Sequence, residues 1–466
     1  MNAKKSIHLK RFDNFSSFYN YLPTNKLLNS KGVDVATFPY DKDDLTEYPL
    51  NTDSLNLESV NGVTHFKQFY ASSGNTQHRI LVYGSDKKVY INQMFKQDTG
   101  LYWLYSLTFD SAPITLAYKK DDLDSIILTS KNEMKIWQTG YSPYTVENVP
   151  IITSMCMNEG VLFCTIQEPA FKIWYATDLN PETVGNISKN SGYISLEDDL
   201  GYARKIITFD QDVYVFRDYG ISKINFIKNK ATVTEVYQSQ TKIYSNTVNN
   251  CGNIVMFMTG EGLYTFNGVK VSKTSIEIKE LLTSQNDNAV ATSLADNYYL
   301  ALRLNFNDGK KIMCENEDYV NNAILVFNTS NFSYEIIRGV DVKSLYTLKT
   351  ELCEKVLLTF NTQHKTKLGQ IIDSSTCFGE PLVKYWSSGN IIDGYNPKII
   401  TKLEVLADKD VKFNLICDGK NISFTTYKSG INKFCFKLYA KQLQLAISSS
   451  SASAQVEDAV LEYYDN

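Results

Sequence analysis

The sequence predicts an all-β protein. A β-propeller of about seven blades is followed by a C-terminal β-sandwich and preceded by an N-terminal extension. Three observations predict this. Short runs of β-branched and aromatic residues, punctuated by Asp and Gly, dominate the chain. These runs group at a spacing of roughly 40–50 residues, the period of propeller blades. From Ile400 to the end the texture changes to short stretches that mostly alternate apolar and polar residues. At 466 residues the chain also exceeds what one hydrophobic core usually serves, which favours a closed repeat or several domains.

The elements follow in chain order. Residues 1–59, with FSSFYNYLPTNK and DKDDLTEYPLNTDSLN, fit no blade. Such an extension completes a neighbouring sheet or reaches another subunit, with a solvated segment as the plain alternative. Residues 60–385 divide into seven windows beginning near Val60, Leu107, Val149, Tyr202, Val248, Ser293 and Val342, each holding two to four short strands. The window at 202–226 is the best defined. Ile206 to Phe209 and Val213 to Phe216 flank Asp210-Gln211-Asp212, and Asp218-Tyr219-Gly220 leads into Ile221 to Phe226. At 253–266, NIVMFMT and GLYTFNG are joined by Gly260-Glu261-Gly262. In KIWYATDLNPETV the strand stops at a turn, Asp178 to Pro181. There Asn180 can cap the turn with its own side chain, and Pro181 cannot continue a ladder. SIEIKELLTS, 275–284, has an N-cap-like Ser and helical spacing, and reads as a short connecting helix. Residues 386–466 hold six short strands, a strong Asp418-Gly419 hairpin turn and a low-complexity SSSSASA loop, together a small β-sandwich.

Composition narrows the partners. Lys plus Arg is 47 and Asp plus Glu is 51, a net charge of −4. That balance gives no electrostatic reason to bind nucleic acid or an anionic membrane. Only six arginines occur, too few to suggest a surface built on guanidinium forks. MNAKKSIHLKRFDNF has no apolar run after its lysines and does not read as a secretory signal. No window of about 18 apolar residues exists to span a membrane. The eight cysteines, Cys156, Cys164, Cys251, Cys314, Cys353, Cys377, Cys417 and Cys435, form no CxxC and no zinc spacing. Free thiols in a reducing cytosol are expected.

Catalytic chemistry is sparse. His8, His65, His78 and His364 have no second His or Cys at ligand spacing. No GxSxG, P-loop, GxGxxG or HExxH occurs. Asp98, Gly100 and Trp103 match the D-x-G-x-x-W core of an Asp-box, with Lys96 where Ser or Thr is usual. An Asp-box is a structural turn, and one degenerate copy is a weak sialidase signal. Glu197, Asp198 and Asp199 could hold a cation, but a solvated acidic turn is the simpler reading. Trp137, Trp174 and Trp386 sit near strand ends, where packing outweighs a sugar-stacking role. No catalytic, cofactor-binding or metal-ligating residue is nominated, and a non-enzyme is expected.

Several stretches also carry a family resemblance. WYATDLNPETV, followed by DDLGYARKIITFDQDVYVFRDYGISKI, resembles the propeller-type structural proteins of bacteriophage virions, including the tail hub or tail accessory proteins of short-tailed phages. SIEIKELL with NAVATSLADNYYLAL, NAILVFNTSNFSYEI and YWSSGNIIDGYNPKIITKLEVLA are similar to later parts of that family, so the likeness covers most of the chain from about Val60. The resemblance implies an assembly role: a homo-oligomeric ring in the tail or neck of a virion. Its partners would be neighbouring tail proteins, and it would be made in the host cytoplasm. Two alternatives stay open: a carbohydrate-binding or receptor-recognition module, and a propeller glycoside hydrolase. A glycan is thus a conceivable partner with no residue assigned to it.

Overall fold

The computed structural model describes residues 4–8, 31–38, 47–50, 57–59, 80–94, 101–120, 123–138, 142–177, 179, 190–196, 198–227, 230–274, 278, 282–283, 286–305, 318–330, 332, 334–349, 353–362, 365–374, 376–381, 384–387, 391–451 and 454–465. Within them the protein is all-β. Six antiparallel sheets of four strands follow one another at 57–108, 114–146, 152–195, 203–238, 243–273 and 290–338. Each is a simple meander in which every strand pairs with the next. A seventh sheet begins with Asp341–Lys349, Glu354–Asn361 and Thr366–Ile372. The seven starts fall within seven residues of the sequence windows, the widest gap being Ile114 against Leu107.

Tight turns set these meanders. In four consecutive sheets, two-residue loops join the first strand to the second: Glu159-Gly160, Asp210-Gln211, Gly252-Asn253 and Ala295-Asp296. Glu159, Gly160, Asp210, Gln211, Gly252 and Ala295 all take positive φ, the twist that two-residue hairpins need. The second strands are buried along nearly their whole length, as in Val213 to Arg217 and Tyr298 to Leu302. Both faces are covered because a neighbouring sheet lies on each side.

The cores form a closed circuit. The first and second sheets share Leu81, Ile91, Ile126 and Trp137. The second and third share Ile136 and Trp174, and the third and fourth Phe163 and Val215. The fourth and fifth share Phe216 and Phe257, with ring centroids 5.4 Å apart. The fifth and sixth share Met258 and Tyr298, and the sixth and seventh Ile324 and Leu358. Val82 of the first sheet packs with Leu357 and Leu368 of the seventh, returning to the start.

The described strands of the N-terminal segment join different sheets, and Leu57–Ser59, placed before the blades by the sequence, is the first strand of the first sheet. Gly32–Val35 inserts beside Thr366–Ile372 as the fourth strand of the seventh sheet, with Val33 opposite Ile371. Val33 is fully buried there. Gly32 is required by the close approach, since a Cβ on it would overlap the carbonyl oxygen of Thr376. Lys4–His8 instead pairs with the last strand, Val456–Asp465. The extension was expected either to complete a sheet or to reach a neighbour. Its second described strand completes one, because an unpaired edge in the seventh sheet would otherwise interrupt the circuit.

The C-terminal strands join into one seven-stranded antiparallel sheet that includes Lys4–His8 and Lys384–Ser387. NKFCFKLYA and QLQLAISSS, read as two strands, are parts of a single strand, Gly430–Ser449. Its two halves pair mainly with different partners: Ile392–Ala407 along the first half, Lys412–Cys417 along the second. The sheet encloses its own core of Leu403, Val405, Phe413, Leu445 and Leu461. Asp418 and Gly419 both take positive φ between Cys417 and Lys420, the hairpin read from the sequence. Of the helix expected at 275–284, only Ile278, Leu282 and Thr283 are described. Leu282 N donates to Ile278 O at 3.1 Å, a single helical turn's bond.

Candidate functional site

Several sequence candidates fall outside the described residues: Lys96, Asp98, Gly100, Asp178, Asn180, Pro181, Glu197, His65, His78, His364 and Cys314. Trp103 and Trp386 lie on strands whose side chains there are likewise undescribed. Trp174 is 2% exposed and packs between the second and third sheets, and Trp137 is equally buried. Both are packing residues. His8 lies exposed on Lys4–His8. Cys156, Cys164, Cys251 and Cys417 are buried free thiols.

Asp198 is already committed to a structural partner. Arg217, 1% exposed, forms an ion pair with it and donates from Nε and Nη2 to Gly201 O at 2.9 and 2.7 Å. The Asp198 carboxylate also accepts from Leu200 N at 3.0 Å. This locks the acidic turn that enters the fourth sheet. Asp199 stays exposed. No group of three metal-capable side chains occurs among the described residues.

Three features stand out as surfaces for recognition. The first is an aromatic ridge on the third and fourth sheets. Phe171, Tyr193, Tyr202 and Tyr219 are 44–55% exposed. Lys172 Nζ stands 5.9 Å from both the Phe171 and the Tyr193 ring, and the Arg204 guanidinium 5.2 Å from Tyr202. A groove of about 560 Å³ adjoins it, lined by Tyr175, Tyr193, Ser195 and Phe226. Sequence reasoning missed this ridge because its four rings lie on separate turns and strands, with no local spacing to mark them.

The second feature is the edge and outer face of the terminal sheet. Lys4–His8 is held to Val456–Asp465 by a ladder of charges. Lys4 meets Glu462 at 2.6 Å, Lys402 meets Glu404 at 2.6 Å and Glu462 at 3.5 Å, and Lys433 meets Glu404 at 3.3 Å. Asp465 accepts from both Lys5 and Lys398. The bond from Lys402 holds the Glu404 carboxyl below its ordinary range, and the bond from Lys4 does the same for Glu462. Bonds from Lys398 and Lys5 lower Asp465. Ile431 and Tyr439 are half-exposed on Gly430–Ser449, and Tyr395 is 99% exposed. Among the described strands Lys4–His8 pairs only with Val456–Asp465, so its outer edge has no strand beside it.

The third is a cavity of about 850 Å³ in the middle of the circuit, lined by residues from the second to the seventh sheets. One wall is Ile114, Leu116 and Ala117; the remainder is mostly Asn, Thr, Ser and Lys.

No protein-family model and no curated protein matches this chain. Solved structures do align with it. Hsv2 of Kluyveromyces lactis matches at 10% identity with a TM-score of 0.36, over 58% of this chain and 83% of that one. The extracellular domain of a one-component system protein of B. thetaiotaomicron matches at 11% identity and 0.40, over 87% of this chain and 57% of that one. Hsv2 of a second Kluyveromyces, K. marxianus, gives 9% and 0.33, over 56% and 81%.

Proposed function

We propose that this protein is a non-enzymatic structural component of a bacteriophage virion, a ring-forming hub of the tail or neck that joins other tail proteins. In this reading the circuit of sheets is a seven-bladed β-propeller over about 60–385, and the terminal sheet is a β-sandwich over about 386–466. The virion assignment comes from the family resemblance of the sequence. The observation that carries the assembly role is the placement of Lys4–His8 and Gly32–Val35. One early segment joins the seventh sheet and another borders the terminal sheet, where the outer edge of Lys4–His8 has no strand beside it among the described residues. Subunit contacts can be made through such sheet edges and half-exposed aromatics without any catalytic chemistry.

Light scattering and negative-stain images of the purified protein test this, together with immunogold labelling of particles of the phage that encodes it. Closed rings and label at the tail or neck are expected. A monomer that is also absent from the particles overturns the proposal.

A second reading is favoured by one observation. The ridge of Phe171, Tyr193 and Tyr202 beside Lys172 and Arg204 has the exposed rings on which sugars stack. It would make the protein a carbohydrate-binding or receptor-recognition module. Binding on a glycan array that is lost in Tyr193→Ala and Tyr202→Ala would move the assignment there.

A further inference from the structure

Most described lysines near carboxylates are paired, as Lys223 with Asp212 and Lys242 with Asp287. The central cavity is different. Lys205 of Ala203–Phe209 and Lys343 of Asp341–Lys349 line it, and neither has a hydrogen bond or ion pair among the described residues. Asn246 and Asn288 line it as well, and their carboxamides are equally unengaged. Three of these side chains come from the fourth, fifth and seventh sheets and Asn288 from the turn that enters the sixth, which makes an arc of unspent donors. No described carboxylate lines the cavity.

Among the described residues nothing compensates the charge on Lys205. Cys156 acts on it, but burial pushes that thiol up to about 12, so no thiolate balances the ammonium. Burial in turn lowers the Lys205 pKa. A half-buried cation without a counter-charge costs free energy that an anion would offset. The apolar wall of Ile114, Leu116 and Ala117 faces the same space, and the volume is that of a small-molecule site.

We infer that the central cavity is a binding site for a small oxyanion, a phosphoryl- or carboxylate-bearing molecule held by Lys205 and Lys343 with the Asn246 and Asn288 amides as further donors. The inference stands apart from the virion reading: it concerns the middle of the circuit and holds for any role of the surface.

Isothermal titration of the full chain with inorganic pyrophosphate, and separately with citrate, tests it and distinguishes the two oxyanion types. At least one probe is expected to bind as one molecule per chain, more weakly as salt is raised. Lys205→Met and Lys343→Met should each weaken it about tenfold, the scale of a lost charged hydrogen bond. Lys437→Met, on the exposed terminal sheet, should leave it unchanged. Thermal unfolding checks that each variant folds; if Lys205→Met does not, exposed Lys343→Met decides alone. No binding of either probe at millimolar concentration overturns the inference. So does binding that Lys343→Met leaves unchanged, or that Lys437→Met reduces equally.

Discussion

Arg217 shows how a single buried cation can organise a turn. Its guanidinium lies under the entry to the fourth sheet and binds the Gly201 carbonyl and the Asp198 carboxylate together. Asp198→Ala would leave that guanidinium short of its counter-charge. The expected cost is about 3 kcal/mol, the low end for a broken buried pair, since a third of the Asp198 side chain meets solvent. Urea unfolding of the variant measures it, and a change below 1 kcal/mol would mean the Gly201 contact suffices. Trp174→Ala should cost about 3–5 kcal/mol by emptying the core between the second and third sheets. At this scale the sequence was partly legible. The packing role of Trp174 followed from its place in an aromatic strand. The pairing of Asp198 with Arg217 did not, because two residues nineteen apart show no sign in the sequence that a turn will bring them together.

Among the elements, Lys4–His8 depends most on solution conditions. Glu404, Glu462 and Asp465 are held below their ordinary pKa by lysines, so each contributes stability at pH values above the unfolded carboxyl range. That contribution disappears as pH falls through the lowered folded values, below about 4.5. Lys5 and Lys402 are raised by Asp465 and Glu404, and their share is lost only as pH climbs through values above 10.5. The protection of Lys4–His8 amides, taken relative to the intrinsic exchange rate at each pH, should therefore be steady between about pH 5 and 10 and fall below about 4. Added salt should act in the same direction, because every pair is near solvent. Protection that is flat down to pH 3 would show that backbone pairing alone holds the strand. The hairpin at Asp418-Gly419 was readable because Asp-Gly has a local conformational signature. The join of two stretches into Gly430–Ser449 was not: the consecutive exposed residues Lys441 and Gln442 interrupt the alternation that marks a strand.

On the scale of the whole molecule, the circuit of shared cores makes each sheet depend on both neighbours. Gly32–Val35 is where that dependence can be tested. Gly32→Ala places a methyl against the Thr376 carbonyl and should cost about 1–3 kcal/mol. Val33→Asp puts a charge into the core between the sixth and seventh sheets and should cost more. Thermal unfolding and size-exclusion chromatography check both, with aggregation expected from Val33→Asp as the Thr366–Ile372 edge opens. A wild-type melting temperature in both would show that the seventh sheet holds without its fourth strand. The sheet starts were legible because each sheet is built from neighbours in sequence. The fourth strand of the last one was not, since GVDV is too short to announce a partner so far along the chain.

That distance has a consequence for synthesis. Val33 leaves the ribosome long before Ile371, its partner roughly 340 residues later. At about 5–20 residues per second the segment waits roughly 20–70 s with its match still untranslated. Lys4–His8 waits longer still, for the final strand of the chain. Newborn copies on one polysome therefore hold unmated edges side by side, and whatever shields those early strands during translation decides how much of the product is correctly closed.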